Sequence, residues 1–291
     1  MENIKIAYIV QCHMNPHQIN RLILQLIDEN ADVYVHVDKK SRRVREYIIR
    51  HPQVYILSKE ESEKVYWSDI SQVKATLRLT EKVFSSGKIY DYIYLLSGQD
   101  FPIKTKKQIY NVLLENKGKA FINMQDFYLF SKRTDVFYPR WMLRRAKIIR
   151  AIKRVWVEIT GGKNKTYKIF KRKALYPKYY YGSSWWCLPY ECLKEIYSMI
   201  MEDKRILEFF THSLCSDECV FQTLVMQSTY KDKLLDCLTY ADWSRGKIGP
   251  ETLIEKDLER LKNGSFLFAR KFNEKIDSTI IDRIEKMITE Q

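Results

Sequence analysis

The amino-acid sequence predicts an α/β fold with a mostly parallel central sheet. Through the first 125 residues, apolar runs of strand length alternate with amphipathic helical patterns, which is typical of an open parallel sheet. The chain has 291 residues, 45% of them hydrophobic, and this length admits one large domain or two small ones. The composition excludes collagen, coiled coil and low-complexity disorder. No apolar run reaches the roughly 18 residues of a membrane-spanning helix.

The first half of the chain supplies most of the predicted strands. Residues 4–10 are an apolar run that fits a buried strand, and Asn15-Pro16 opens a helix because apolar side chains then recur every three or four positions. The same two patterns predict the following elements: strands at 32–38 and 54–57 with a helix between them, a helix at 68–85, a strand from residue 90 that ends in a Ser-Gly turn, a helix at 106–116 and a strand at 120–124.

The second half of the chain is less regular. Five of the eight residues 179–186 are aromatic, which suits the stacking of sugars or, more simply, a buried strand. Serine, glycine and proline then mark a turn before residue 218 and a loop at 242–250. Periodicity predicts helices at 190–202, 218–228 and 251–263, strands at 234–240 and 265–270, and a closing helix at 277–291.

The carboxyl ends of the predicted strands carry polar residues, and ligands bind at such ends in open α/β sheets. Gln11 ends the first strand, Asp38 the second and Asp100 the fourth. The structural alternative for Asp38 is a helix cap or a turn, and for Asp100 a turn. The sequence has no dinucleotide or P-loop glycine motif and no Asp-x-Asp, so a bound diphosphate would be neutralised by side-chain cations, without a metal.

Two basic residues are candidates for that neutralisation. Lys271 follows a predicted strand directly, and Arg245 lies in the glycine-containing loop. Together they can hold a leaving diphosphate. A solvated surface pair is the simpler alternative. The six cysteines and five histidines show no zinc-ligand spacing, so no metal site is predicted.

The tripeptide Ser216-Asp217-Glu218 contains the candidate general base. Ser216 can cap the helix that follows, and Asp217 suits the dipole of that helix, which is a sufficient structural account of Asp217. Glu218 begins the predicted helix beside the aromatic stretch. A carboxylate next to apolar rings is suited to general-base catalysis.

Six segments of the chain resemble one known enzyme family. HVDKKS, KVYWSDISQVKATL, YLLSGQDFPIKT, GSSWWCLPYECL, SDECVFQTL and FLFARKF follow one another as in the core-2/I-branching β-1,6-N-acetylglucosaminyltransferases, a family that also contains peptide O-xylosyltransferases. The resemblance extends from about Ile6 to about Asp277. It implies a single GT-A-type, Rossmann-like domain, an inverting mechanism and a UDP-sugar donor without a metal cofactor.

The resemblance also implies roles for individual residues. Glu218 corresponds by motif to the catalytic base, Lys271 to the residue that binds the donor diphosphate, and Arg245 to a second basic residue there. Asp38 corresponds to an aspartate near the nucleoside. One departure is at residues 67–69, Trp-Ser-Asp, where relatives often have Trp-Gly-Gly.

The expected organisation is a single glycosyltransferase domain, 1–291. Within it, 1–125 is the nucleotide-binding half, 126–178 a basic insertion that faces the acceptor or a membrane, and 179–291 the catalytic and diphosphate-binding half. The expected reaction transfers N-acetylglucosamine from a UDP-sugar to a hydroxyl of a glycan acceptor, with UDP-xylose as the alternative donor. Lacking the membrane anchor and disulfide pattern of the animal enzymes, the chain is expected to be a cytoplasmic bacterial enzyme of surface-polysaccharide synthesis.

The charge of the chain is concentrated in the insertion. Of a net charge of +14, all is accounted for by residues 131–178, which hold 16 Lys or Arg against two acidic residues. A nucleic-acid-binding protein is the rival interpretation, but no nucleic-acid-binding motif is present. Apolar and basic positions alternate at helical spacing through 141–156, with tryptophan near both ends, which predicts an interfacial helix on the anionic inner face of the plasma membrane and a lipid-linked glycan acceptor. A core-packed helix with a solvated charged face is the alternative.

Overall fold

The computed structural model describes residues 4–125, 132–143, 152, 154–156, 158, 159, 165, 169–244 and 249–290. Their strands are β1 Ile6–Cys12, β2 Ala31–Val37, β3 Val54–Ile56, β4 Tyr92–Ser97, β5 Asp100–Pro102, β6 Ala120–Phe121, β7 Cys187–Pro189, β8 Leu234–Leu235, β9 Thr239–Ala241 and β10 Phe268–Arg270. Their α-helices are α1 Pro16–Leu26, α2 Arg42–Glu46, α3 Ser71–Ser85, α4 Lys106–Glu115, α5 Lys132–Asp135, α6 Tyr190–Glu202, α7 Lys204–Thr211, α8 Val220–Val225, α9 Leu258–Asn263 and α10 Thr279–Thr289.

A seven-stranded sheet forms the centre of the molecule, in the order β3-β2-β1-β4-β7-β6-β8. Its first four strands are mutually parallel, while β7 runs antiparallel to both β4 and β6. The predicted α/β class and mostly parallel central sheet are therefore confirmed. None of the described helices has the length and apolar character needed to cross a membrane.

The central sheet is covered on both faces, which explains why β1, β2 and β4 are buried along their whole length. Side chains alternate between the two faces along a strand. Ile6 and Val10 of β1 therefore join the cluster that contains α1 and α10, whereas Ala7 and Ile9 join the cluster that contains α3 and α6. The continuous apolar runs of the sequence correspond to these doubly covered strands.

A second, three-stranded sheet was not expected from the sequence. Its order is β5-β10-β9, with β10 antiparallel to β5 and parallel to β9. The segment interpreted as a turn after the fourth strand is thus partly strand β5. In this register Arg270 lies opposite Asp100, so the end of the chain's last strand is brought beside the end of β4.

Several predicted boundaries were wrong. The helix expected at 68–85 begins at Ser71, and the helix expected at 251–263 is a 3₁₀ turn followed by α9. The single strand expected at 234–240 is divided between β8 and β9, which belong to different sheets. The aromatic residues 179–186 form an extended loop, and the strand begins only at Cys187.

Candidate functional site

The ends of β1, β2 and β4 are drawn together at one edge of the central sheet. The backbone N–H of Asp38 donates to the Cys12 carbonyl, and the N–H of Gly98 donates to the Gln11 carbonyl, both at 2.9 Å. Only glycine fits at residue 98, because a Cβ there would lie 2.8 Å from Cβ of Cys12. The polar residues that follow these strands consequently share one edge, as the sequence predicted.

A buried ion pair lies where this edge meets the second sheet. Nε of Arg270 is 3.4 Å from Oδ1 of Asp100, whose other oxygen accepts the N–H of Ser97 at 2.8 Å. The guanidinium carbon also lies 3.9 Å from the ring centroid of Trp185. Burial raises the pKa of Asp100 to about 6, although Arg270 opposes the shift, and burial lowers the pKa of Arg270. Asp100 is fully buried, and its contact with the site is the ion pair with Arg270.

Arg270 is a residue that the sequence analysis missed, although it stands in the FLFARKF segment beside Lys271. Its Nε and Nη1 have no hydrogen-bond partner among the described residues, while the residue as a whole is only 6% exposed. Buried donors without acceptors are costly, and an anion in the site would satisfy them. The arrangement therefore favours an anionic ligand.

Lys271 adds a second cation next to Arg270. Burial, and then the charge of Arg270, lower the pKa of Lys271, while Asp100 opposes them. The backbone around Lys271 is fixed by the buried Gln18, whose amide donates to the carbonyls of Gly98 and Phe272 at 3.0 and 3.2 Å. The predicted diphosphate residue thus lies at the sheet edge. Arg245, its predicted partner, lies outside the described residues.

Asp217 brings a further carboxylate close to Arg270. It accepts a hydrogen bond of 2.6 Å from the Ser184 hydroxyl, and its Oδ1 has no partner in the described part of the chain. Burial and the neighbouring Glu218 raise its pKa to about 6. The predicted cap at Ser216 is wrong, because its buried hydroxyl makes no hydrogen bond with the described residues.

Glu218 ends a 3₁₀ turn, Ser216–Glu218, and does not begin the helix, which starts at Val220. Its Oε2 accepts a hydrogen bond of 2.5 Å from Nη1 of Arg133, and its side chain is 32% exposed. The expectation of a carboxylate set among apolar rings was therefore wrong: a guanidinium is its nearest charged neighbour. Arg133 escaped notice because nothing in the sequence distinguishes it from the other basic residues of the insertion.

Asp38 lies on the other side of the sheet edge. Its Oδ1 accepts the N–H of Lys40 at 2.9 Å, and Lys40 in turn lies 4.5 Å above the ring of Tyr66. An open cavity of about 500 Å³ begins at this point, lined by Lys39, Ser62, Glu63, Lys64, Tyr66 and Arg140. Gln11, near the end of β1, donates a hydrogen bond from its side-chain amide to the Thr76 hydroxyl at 2.7 Å, so its side chain faces α3.

The unusual Trp-Ser-Asp at 67–69 is explained by an ion pair. Asp69 is fully buried and accepts hydrogen bonds of 3.0 and 3.3 Å from Arg140. Burial alone would raise the pKa of Asp69, but the hydrogen bonds from Arg140 and Ser71 lower it. Trp67 is 48% exposed beside this pair. Within the described residues, no group of three His, Cys, Asp or Glu side chains is arranged to hold a metal ion.

Comparison with known proteins identifies relatives along nearly the whole chain. The family model described as Core-2/I-Branching enzyme matches residues 6–263. Xylosyltransferase oxt of Drosophila pseudoobscura pseudoobscura is 23% identical over 99% of this chain and 34% of its own length. The human N-acetyllactosaminide beta-1,6-N-acetylglucosaminyl-transferase is 30% identical over 39% of this chain and 29% of its own length.

The chain spans about a third of the length of the curated relatives that it matches. The crystal structure of apo mouse xyloside xylosyltransferase 1 superposes over 91% of this chain and 97% of that one, with a TM-score of 0.41 and 9% identity. That superposition is too loose to add to the sequence matches.

Replacing Asp217 with Asn should stabilise the protein more at pH 7 than at pH 4. The folded protein retains a proton on Asp217 up to a pKa of about 6, above the ordinary 3.8, so the wild type loses stability as the pH rises through this interval. We expect the difference in free energy of unfolding between variant and wild type to increase by about 1–3 kcal/mol from pH 4 to pH 7 in urea titrations. Asp232→Asn, at an exposed turn, is the control, and an equal effect of Asp217→Asn at both pH values would contradict the prediction.

Proposed function

Because the chain belongs to the Core-2/I-branching enzyme family, we propose that it is an inverting glycosyltransferase that moves a sugar from a UDP-sugar to a hydroxyl group of a glycan acceptor. The relatives named as β-1,6-N-acetylglucosaminyl- and xylosyltransferases support this proposal. N-acetylglucosamine is the proposed sugar. Xylose is the second candidate, since the relatives that match 97–99% of the chain are xylosyltransferases.

The observation that carries the proposal is the pair of neighbouring cations at the sheet edge, the buried Arg270 and the half-buried Lys271. Nε and Nη1 of Arg270 have no hydrogen-bond partner among the described residues, although the carboxylates of Asp100 and Asp217 are near. The phosphate oxygens of a leaving UDP offer the acceptors that these donors lack, because charge-assisted hydrogen bonds from a guanidinium suit phosphate oxygens. Side-chain cations thus take the part that a metal ion plays elsewhere, and we propose a metal-independent reaction.

Glu218 is the proposed general base. It removes the proton of the acceptor hydroxyl as that oxygen attacks C1 of the sugar, opposite the departing UDP, which inverts the configuration at C1. Arg133 engages Oε2 of Glu218, so Oε1 is the oxygen proposed to face the acceptor. Asp217, next to Glu218 in the sequence, is close enough to Arg270 for its negative charge to raise the pKa of Arg270. It therefore links the Glu218 turn to Arg270.

The nucleoside is proposed to occupy the cavity beside Asp38. The cavity offers about 500 Å³ and one aromatic side chain, Tyr66. Asp38 itself is proposed to bond the base or the ribose, and Gln11 to support this wall of the site. The insertion that contributes Arg140 to the same cavity is then close to both substrates.

The acceptor is proposed to be a lipid-linked glycan of bacterial surface-polysaccharide synthesis, met at the cytoplasmic face of the plasma membrane. The described part of the insertion exposes apolar side chains: Trp141 is 41%, Ile152 47%, Val155 55% and Ile159 77% exposed. Most of the basic residues predicted on the other face, including Arg144 and Arg145, lie outside the described residues. Exposed apolar groups in a segment with a net charge of +14 suit an anionic lipid surface.

The donor and the absence of a metal requirement can be tested together. UDP-N-acetylglucosamine or UDP-xylose should raise the melting temperature and be hydrolysed slowly, and EDTA should change neither result, because Arg270 and Lys271 supply the positive charge. Loss of activity in EDTA would contradict the metal-independent reaction. Stabilisation by neither donor, together with a salt-sensitive shift on random oligonucleotides, would favour the nucleic-acid-binding alternative.

Glu218→Gln should lower kcat by about 10²–10⁴-fold, the usual contribution of general-base assistance. The amide keeps the shape of the side chain but cannot accept the proton. UDP affinity, measured by calorimetry, should remain close to that of the wild type, because Glu218 does not contact the diphosphate in this proposal. Glu191→Gln, at an exposed site on α6, is the control. Normal turnover, or loss of UDP binding, in Glu218→Gln would contradict the assignment.

Removing four charges from the insertion should weaken binding to anionic vesicles roughly 100-fold or more, because each basic residue near such a surface contributes about 1 kcal/mol. The measurement is co-sedimentation with anionic and with neutral vesicles at low and high salt. A second variant that loses four charges elsewhere should bind like the wild type. If the wild type ignores anionic vesicles at low salt, the membrane proposal fails. The insertion variant is Arg144/Arg145/Lys153/Arg154→Gln, and the control is Lys256/Lys262/Lys275/Lys286→Gln.

A further inference from the structure

Arg172, near the end of the basic insertion, is a side chain that links the insertion to the segment before the Glu218 turn. We propose that Arg172 is a positioning residue, which fixes the two ends of the insertion against this turn and thereby holds Arg133 on the Glu218 carboxylate. The inference deepens the proposed function and rests on it, since it concerns how the proposed base is oriented.

The guanidinium of Arg172 makes hydrogen bonds to three separate places. Nε donates to the Thr134 carbonyl at 2.6 Å, Nη1 to the Phe209 carbonyl at 2.7 Å, and Nη2 to the Ser213 hydroxyl at 2.6 Å. Its carbon also lies 3.6 Å from the ring centroid of Phe209. A planar fork with several donors can hold three groups in a fixed relation, which a lysine ammonium does less well.

Two of these three groups are close in sequence to Arg133 and Glu218, the hydrogen-bonded pair that includes the proposed base. Thr134 directly follows Arg133, whose carbonyl accepts the N–H of Leu214 at 3.0 Å. Ser213 precedes the turn in which the N–H of Glu218 donates to the Cys215 carbonyl at 3.0 Å. Arg172 therefore contacts the residue that follows Arg133 and, through Ser213, the segment that precedes the Glu218 turn.

Arg172 also closes the base of the insertion. The N–H of Arg172 donates to the Asp135 carbonyl at 3.0 Å, and the N–H of Phe137 donates to the Phe170 carbonyl at 2.7 Å, so the chain leaves and returns as a short antiparallel pair. Arg133 lies two residues before Asp135, so a displacement of this antiparallel pair would also move Arg133. Arg172, a half-buried side chain, thus couples the base of the insertion to the orientation of Glu218.

The test is a double-mutant cycle on Arg172 and Arg133. Hydrolysis of UDP-N-acetylglucosamine and of UDP-xylose is measured for Arg172→Met, Arg133→Met and the double variant. We expect Arg172→Met to lower kcat about 10-fold or more at nearly unchanged donor KM, as a small misplacement of a catalytic group does. The double variant should be no slower than Arg133→Met, because Arg172 acts through Arg133. Independent, multiplicative losses would overturn the proposal.

Two further variants separate positioning from general destabilisation. Arg205→Met removes a guanidinium from the exposed side of α7, where its ion pair within the described part of the chain is with Asp203, and kcat should not change. Ser213→Ala deletes one of the three hydrogen bonds of Arg172 and should lower kcat in the same direction by a smaller factor, even if Arg172→Met folds poorly. An unchanged kcat in Ser213→Ala together with a wild-type kcat in Arg172→Lys would overturn the proposal.

A readout that needs no turnover separates this inference from the proposed function. Hydrogen exchange of the peptides 133–137 and 213–219 should become faster in Arg172→Met, since the N–H groups of Phe137, Leu214 and Glu218 are hydrogen-bonded there. Arg205→Met should leave it unchanged. If the wild type hydrolyses neither donor, the proposed function has failed and the exchange result alone decides whether Arg172 fixes the turn. Unchanged exchange in Arg172→Met would overturn the inference in either case.

Discussion

The cost of burying charge beside an apolar sheet governs the arrangement of this molecule. An ion taken out of water loses several kcal/mol of solvation, which only a well-placed partner offsets. Because β1, β2 and β4 are covered on both faces, carboxylates buried beside this core need partners, and two of them pair with guanidinium groups from distant parts of the chain. Asp100 meets Arg270 and Asp69 meets Arg140. These pairings bring the last strand and the insertion to the same edge of the sheet, and the candidate site is the place where they converge.

The covered part of the central sheet could be predicted from the sequence, because its signals are local. A strand buried on both faces must be apolar throughout, and a helix on such a face must repeat its apolar residues every 3.6 positions. β9 and β10 fall within or beside strands that the sequence predicted, but their assembly with β5 has no local signal, because each of the three strands has only three residues and the sheet forms through pairing across the chain. Left-handed backbone at Ser68 and Cys215, which is uncommon for residues other than glycine, likewise depends on tertiary contacts.

The candidate site, like the fold, could be predicted from the sequence only where its signals are local. Asp38 follows β2 directly and Asp100 comes three residues after β4, so their common edge follows from the topology of a parallel sheet. Lys271 follows β10 of the second sheet, so its place at this edge depends on pairing across the chain. Glu218 was identified from a motif, but its surroundings were predicted wrongly. Its hydrogen-bond partner, Arg133, is 85 residues away in the sequence. Arg133 and Arg172 are two of 16 basic residues between 131 and 178. Only the fold distinguishes a guanidinium that pairs within the protein from one that is solvated.

The division of charge between insertion and core implies two ranges of electrostatic action. Outside 131–178 the chain is balanced, while residues 131–178 of the insertion carry the full excess of +14. Exposed charges act over about 8–10 Å at physiological salt and weaken as salt rises, so the exposed lysines of the insertion, such as Lys171 and Lys173, are suited to attracting an anionic partner before contact. Arg270 is screened little because it is buried, and it acts on a ligand only after that ligand has entered. Arg172 lies between these two regimes: it belongs to the basic segment, yet its donors are engaged by Thr134, Phe209 and Ser213. Arg172 is therefore unsuited to attracting a distant partner. It is suited to the proposed positioning role, in which it passes the position of the insertion on to the Glu218 turn.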